Sequence, residues 1–392
     1  MIKNLLKLFI FFFFRLIPKD KKLLVFGDRA GRRFADNSRY LFLYMSKNFK
    51  EFHCVWITKE KSIYEYLNDN KLDCAYSNSF KGVYYSIRAK YHLFNFVEDD
   101  IDKFITYFSN SILLWHGVLP KKLTIPKNHY VKNYVNKNLI KYLIYPNEFM
   151  AQNILDHFVD KKYDLFKSGL PRNITLGSKE IDDDYYKTNK EISFLKEIKK
   201  QNKKVIGYFP TWREDGIELF RDIQNFDQLK KFNEILLKNN FFILIKKHMN
   251  SEKKDSHRFY NSKIEKIYDY MRSLSNFKFV EYDFDLNSVL ESCDVLISDY
   301  SGVIFDYLLL DRPIIAYTPD YSYYLNKGFN MDPTKENFCY TAFNFSELIN
   351  LVNDFAMNDE NFCNHHSKNR KLIKNKIFVE NDIDKLVKLI TN

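Results

Sequence analysis

Residues 293–320, CDVLISDYSGVIFDYLLLDRPIIAYTPD, leave the chain few ways to fold. Residues 295–297 are a short apolar run of strand type. Ser298, Asp299, Tyr300, Ser301 and Gly302 make a polar turn, residues 303–310 resume as an apolar stretch of helix length, and residues 313–317 are a second buried-strand candidate. Strand, turn, helix and strand in that order build one unit of a parallel α/β sheet. The helix N-terminus then faces the carboxyl edge of the sheet, where its free N–H groups and positive dipole end can receive an anion. Ser298 or Asp299 is expected to cap this helix, and Ser301 and Gly302 to let a phosphate approach the backbone. The plainer reading is a capped helix that holds no ligand.

A chain of 392 residues has room for two domains of ordinary size. Hydrophobic content of 45% and aromatic content of 17% exclude a disordered chain. The net charge of +11 suits an anionic partner: nucleic acid, a phosphate-rich substrate or an acidic membrane surface. Solvated lysines alone are the plainer, less favoured explanation. The basic residues are spread along the chain and no nucleic-acid-reading motif is present, so nucleic acid is not expected as a partner. Cys54, Cys74, Cys293, Cys339 and Cys363 are odd in number and scattered, which argues against a disulfide framework or a zinc site and fits a reducing cytoplasm.

Residues 5–17 are intensely apolar, with Phe11, Phe12, Phe13 and Phe14 unbroken. The run is too short to span a bilayer, and no small-residue cleavage site follows it. Residues 1–20 are therefore expected to lie in a membrane interface, with Lys7, Arg15, Lys19, Lys21 and Lys22 on anionic head groups. The alternative is a helix packed on the protein's own core.

Strand candidates follow at residues 23–26, 53–58, 73–76 and 91–96, separated by helix-length polar segments. This alternation predicts a first Rossmann-like domain over residues 21–190. Residues 27–37, GDRAGRRFADN, form an arginine-rich loop without the G-x-G-x-x-G spacing of a dinucleotide site. Residues 112–114 end in Trp115-His116-Gly117, with Lys121 and Lys122 close behind. A histidine at a strand's carboxyl end sits where open α/β sheets place their chemistry, and its ordinary pKa suits a general base near neutral pH; a satisfied structural histidine is the alternative. Residues 142–145 are a further strand candidate, residues 148–158 read as helical, and residues 165–170 give way to Pro171 and Arg172, whose guanidinium could fork onto a phosphate. The charged stretch 182–203 reads as the inter-domain connection with a surface helix.

The second domain is expected over residues 191–392. Its strand candidates at 205–209 and 241–245 end in Pro210-Thr211-Trp212-Arg213 and Lys246-Lys247-His248. Residues 277–280 are another strand and 286–292 a short helix. Residues 321–332 read as irregular, and 345–355 and 383–390 as closing amphipathic helices. Polar residues thus fall repeatedly at strand ends, describing two parallel sheets that face a central cleft suited to a diphosphate. Cationic donors there lower the barrier to transfer at phosphorus by positioning and by stabilising charge. No acidic cluster with metal-ligand spacing is evident, so a mechanism without metal is expected.

The stretches LLWHGVLPKKL, SGLPRN, YFPTWRED, LIKKH, DLNSVLESCDVLISDYSGVIFDYLLLDRPIIAY and the following D-x3-Y-x3-G-F resemble, in order, motifs of the CDP-glycerol:polyglycerophosphate glycerophosphotransferase family; DNSRYLFLYM is similar too. The family builds teichoic acids and related phosphoglycerol polymers on a GT-B fold. The resemblance implies that His116 takes the proton from the acceptor hydroxyl, within a His116-Gly117 motif. It implies that His248, with Lys246 and Lys247, holds the donor phosphates, and that Arg172, Pro210, Thr211 and Arg213 contact the donor. Ser298, Asp299, Ser301 and Gly302 would form the phosphate-binding turn, and Asp306 matches an acidic family position. The chain departs from the family where WHG is followed by Val-Leu-Pro-Lys, at Met249 after the second histidine, and at Gly302 in place of a second serine.

The function so implied is transfer of phosphoglycerol, or a related phosphoalditol, from its CDP ester to a hydroxyl of a cell-surface polymer or lipid-linked acceptor, releasing CMP. No cofactor beyond this donor substrate is expected, and the protein would sit peripherally on the cytoplasmic face of the membrane. A GT-B glycosyltransferase using a nucleotide sugar is the alternative, separated by whether a glycosidic or a phosphoanhydride bond breaks. Deleting residues 1–18 should release the protein from sedimenting anionic liposomes; equal sedimentation of both forms would refute the membrane anchor.

Overall fold

The structure, a computed structural model, describes residues 16–96, 98–102, 105–106, 109–122, 140–155, 164–177, 183–211, 213, 220–223, 225–246, 262–281, 283–378 and 383–392. The chain divides into two compact units. The first comprises Met1–His116, Thr124–Tyr186 and Phe378–Asn392, and the second Gly117–Leu123 and Lys187–Ile377.

Apolar runs of four to six residues become parallel strands, because a sheet covered by helices on both faces needs apolar side chains on both sides of each strand. In the first unit these are β1 (Asp20–Gly27), β2 (His53–Thr58), β3 (Cys74–Tyr76), β4 (Ala89–Phe94), β5 (Asn110–Leu113), β6 (Ile140–Tyr145) and β7 (Asp164–Lys167). They lie side by side as β3-β2-β1-β4-β5-β6-β7. The second unit contains β8 (Lys204–Tyr208), β9 (Phe241–Ile245), β10 (Phe277–Phe279), β11 (Val295–Ser298), β12 (Ile314–Tyr317) and β13 (Tyr340–Ala342), ordered β10-β9-β8-β11-β12-β13. Every pairing in both sheets is parallel.

Both orders reverse beside the unit's first strand, between β1 and β4 and between β8 and β11. Loops leaving neighbouring strands diverge at such a point and open a crevice at the carboxyl edge, the usual ligand position in open α/β sheets. Two glycines let backbone close in beside these crevices. A Cβ on Gly27 would lie 2.2 Å from the Asp100 carbonyl oxygen, and one on Gly302 would lie 2.5 Å from that of Val118.

The sequence expectations hold for the strands. They miss β13, which is no apolar run and whose Tyr340 and Thr341 are half-buried, and the helix Tyr321–Lys327, where irregular structure is expected and of which Tyr324 alone is buried. The closing helix is corrected. Residues 383–390 were assigned to the second domain, but the helix Asp384–Thr391 places Leu386, Val387 and Ile390 in the core of the first unit with Leu24, Phe42 and Trp56. The Lys90 ammonium also donates to the Ile390 carbonyl at 3.1 Å. An amphipathic period shows that a helix buries one face, not which core receives it. Leu386 is fully buried, so Leu386→Ala should cost about 2–5 kcal/mol, read by urea unfolding followed by tryptophan fluorescence; a loss under about 1 kcal/mol would contradict this packing.

Candidate active site

In the first unit, His116 follows β5 on a turn of unusual backbone. Trp115 has φ 61° and Gly117 φ 109°, both left-handed, and only glycine adopts this freely. The Trp115 conformation is held by hydrogen bonds to the carbonyls around it. The Asn37 amide donates to the carbonyls of Leu114 (3.3 Å) and Trp115 (2.8 Å). Arg172 donates from Nη1 to the His116 carbonyl (3.0 Å) and pairs with the Asp36 carboxylate (3.0 Å). The Arg172 backbone N–H donates to Asn37 Oδ1 at 3.0 Å, closing the set. The His116 imidazole is half-buried, tilted against Trp115 (4.4 Å between centroids) and edge-on to Phe96 (5.3 Å).

Thus Arg172, expected on a donor phosphate, fixes the backbone that carries His116. Asp36 and Asn37 were not anticipated as site residues. The signal was present in DNSRY, an Asp-Asn pair opening the helix Asp36–Asn48, but its partners lie 77 to 136 residues away.

The second unit's crevice is closed by a clasp. Asp299 accepts from the Thr211 backbone N–H (2.9 Å), the Thr211 hydroxyl (2.7 Å) and Arg213 Nη2 (2.8 Å). Arg213 also donates from Nε to Asp320 (2.7 Å) and from Nη1 to the Thr211 carbonyl (2.7 Å), while its guanidinium lies over the Tyr324 ring at 4.9 Å. Burial opposes the Arg213 charge, but Asp299 and Asp320 outweigh it and raise the pKa above the ordinary arginine value. The Ser298 hydroxyl donates to the Phe209 carbonyl at 2.7 Å. Neither Ser298 nor Asp299 caps the helix Val303–Tyr307, whose N-cap is Gly302 without a side-chain bond. That correction has a simple cause: both side chains are already engaged with the strand-end loop after β8.

Gly302 is likewise needed for the approach of Val118, and Ser301 beside it is half-buried. Pro210 is buried just before the clasp, and Asp306 is buried within the helix. Lys246, expected on phosphate, donates to the Glu281 carbonyl at 2.8 Å. Lys247 and His248 lie outside the described residues. Gly117 opens the segment Gly117–Leu123, which is knitted to residues 328–331. Lys122 N–H donates to the Gly328 carbonyl, and Asn330 N–H to that of Pro120.

This knitting delivers Lys121 beside the clasp. Its ammonium lies 5.5 Å from the Tyr324 ring centre and has no carboxylate within ion-pair distance among the described residues. Burial pushes it down to about 8; Arg213 and Lys327 add to the shift, while Asp299 and Asp320 oppose it. Arg213, Lys121 and Lys327 outnumber the two carboxylates, so an incoming anion meets a cluster of net positive charge. In the first unit, burial and the neighbouring Asp100 raise the Asp28 carboxyl well above the usual range. Among the described residues no three His, Cys, Asp or Glu side chains converge as a metal site.

Two parallel sheets, each reversing order beside its first strand, with the candidate residues at their carboxyl edges, define the GT-B class of transferases. The wall teichoic acid polymerase TagF shares this fold, with a TM-score of 0.68 over 99% of this chain and 95% of that one at 21% identity. The chain belongs to the CDP-glycerol:poly(glycerophosphate) glycerophosphotransferase family, whose sequence profile matches residues 9–382. It is 27% identical over 347 residues to a teichoic acid poly(glycerol phosphate) polymerase of Bacillus spizizenii, covering 81% of this chain and 79% of that one. It is 26% identical over 357 residues to a teichoic acid glycerol-phosphate transferase of Staphylococcus aureus, covering 86% and 85%.

A lysine held near pKa 8 loses its charge just above neutral pH. Affinity for inorganic pyrophosphate, measured by calorimetry, should therefore weaken as pH rises through about 8. Lys121→Arg should hold affinity flat across that range; an unchanged pH profile in the variant would exclude Lys121 from anion binding.

Proposed function

We propose that this protein transfers glycerol phosphate from CDP-glycerol to a hydroxyl at the end of a teichoic-acid-type polymer or its lipid-linked precursor, releasing CMP. Family membership and the names of the two relatives support the reaction class. The observation that carries the assignment of roles is the anchoring of His116. Its backbone is fixed by Asn37 and Arg172 while its ring remains half-buried at the carboxyl edge.

In this reading the acceptor oxygen attacks the phosphorus that bears glycerol, and the phosphoanhydride bond to CMP breaks. His116 takes the acceptor proton as the oxygen–phosphorus bond forms. Arg172 acts through the backbone of His116, as a positioning residue. Lys121 supplies positive charge for the diphosphate, and the helix beginning at Val303, with Ser301, lies beside it in the same unit. His248 and Lys247 are proposed as further donor-phosphate contacts on the family motif alone. Thr211, Arg213 and Asp299 shape the donor crevice rather than contribute free charge, since they are bonded to one another. No metal or other cofactor is invoked: the chain's own cations are the charge-stabilising groups.

CDP-glycerol is preferred over CDP-ribitol as donor because both relatives named above act with glycerol phosphate. The protein is further proposed to work at the cytoplasmic face of the membrane, held by the apolar segment 5–17 and by its net charge of +11. Among the described residues no helix is long and apolar enough to cross a bilayer.

The test is CMP release from CDP-glycerol and, in parallel, from CDP-ribitol, in the presence of a lipid-linked acceptor. A positioned base contributes roughly 10²- to 10⁴-fold. His116→Ala should therefore lower kcat by about that factor with an unchanged thermal midpoint and an unchanged Kd for CDP. Turnover near the wild-type rate would remove His116 from the proton transfer.

A further inference from the structure

The loop after β1, Asp28 to Asp36, is a further stretch of unusual backbone in the first unit. Arg29 (φ 47°), Ala30 (57°) and Gly31 (73°) are left-handed in succession, and Asp36 (59°) is left-handed again. Each non-glycine residue in that region is strained, so the shape persists because its surroundings impose it. Asp100 accepts from the N–H groups of both Ala30 (3.0 Å) and Phe96 (2.9 Å), tying the loop to the end of β4. The Gly31 carbonyl accepts from Lys59 N–H (2.7 Å) and the Thr58 hydroxyl (2.9 Å). Phe34 anchors the far end, edge-on to Trp56 at 4.8 Å.

What this shape presents is positive charge. Arg32 is exposed and Arg29 half-exposed at the crevice between β1 and β4, and neither forms an ion pair among the described residues. The Arg29 guanidinium lies 5.7 Å from the centre of the Phe96 ring, and the His116 imidazole 5.3 Å from the same ring. One aromatic side chain, itself 38% exposed, therefore separates a free guanidinium from the general base. Burial and Asp100 push the Asp28 carboxyl up, against the pull of Arg33 and Arg29.

We propose that Arg29 and Arg32 bind the phosphodiester of the acceptor's terminal glycerol phosphate unit, placing that unit's free hydroxyl at His116. This inference rests on the function proposed above. A guanidinium matches two phosphate oxygens with two N–H donors, so it fixes orientation as well as charge. The distances through the Phe96 ring centre, 5.7 Å to Arg29 and 5.3 Å to His116, bound the separation that one glycerol phosphate unit has to cover. The imposed loop shape fits this role, because residues whose backbone is fixed before binding lose less conformational freedom on contact. The site would thus distinguish an acceptor already carrying glycerol phosphate from one carrying only sugar.

The experiment has three arms, applied to the wild type, Arg29→Ala, Arg32→Ala and the double variant. In the first, a soluble glycerol phosphate oligomer is titrated without donor. The wild type should bind it, and the double variant should lose affinity at least 10-fold at an unchanged thermal midpoint; equal binding, or none to the wild type, overturns the proposal. In the second, KM is measured for lipid-linked acceptors with and without a terminal glycerol phosphate. The double variant should raise KM only for the phosphate-bearing acceptor, with kcat and the KM for CDP-glycerol retained and Arg29→Lys partly restoring it; equal rises for both acceptors overturn it. The third uses phosphatidylglycerol vesicles, whose head group carries the same diester. Vesicle binding should be unaffected by the variants, and a loss there without loss of oligomer binding would assign the arginines to lipid instead. A wild type that binds oligomer through Arg29 and Arg32 but releases no CMP from CDP-glycerol would sink the donor assignment and leave this site standing.

Discussion

A buried carbonyl beyond the last rung of a parallel sheet has lost both water and its strand partner, and each such group needs a donor. Much of the candidate site follows from how this chain meets that need. After β5, Asn37 and Arg172 supply three successive carbonyls, of Leu114, Trp115 and His116. After β8, the Ser298 hydroxyl takes the Phe209 carbonyl and Arg213 takes that of Thr211. Side chains that look chemically eager are therefore largely committed to the backbone. What they leave exposed, such as the half-buried His116 ring, is held in a defined place as a result.

The two units solve their electrostatics differently. The second gathers Arg213 and Lys121 with Asp299 and Asp320 into a compact set of opposed charges, packed against Tyr300 and Tyr324. Breaking one member of a buried, hydrogen-bonded pair strands the other, so this clasp fixes the loop after β8 more firmly than its net contribution to stability suggests. The first unit instead buries Asp28 and Asp100 close together and turns Arg32, with Arg29 in part, outward. Asn95 ties that arrangement to the helix Asp36–Asn48 by donating to Asp28 and accepting from Ser38.

The sequence made the sheets legible because strands buried on both faces are unbroken apolar runs, and because polar residues punctuate their carboxyl ends. It therefore located His116, Arg172, Thr211, Arg213, Ser298 and Asp299 at sheet edges correctly. It did not reveal their partners. Whether a guanidinium meets a ligand or a carboxylate depends on contacts across long separations: 107 residues divide Arg213 from Asp320, and 136 divide Arg172 from Asp36. Asn37 and the loop 28–36 stayed hidden for the same reason, since backbone strain and hydrogen bonds to distant carbonyls leave no periodic trace. Nor did the sequence show that the Val118 carbonyl packs against Gly302.

The return of residues 378–392 to the first unit has a consequence for biosynthesis. Residues 187–377 are continuous and precede that return, so with 117–123 already made the second unit can be assembled while the first still lacks Leu386, Val387 and Ile390 from its core. The first unit begins earlier on the ribosome and finishes later. Until that return is made Leu24, Phe42 and Trp56 lack the last of their neighbours, so the core of the unit carrying His116 closes only with its final helix.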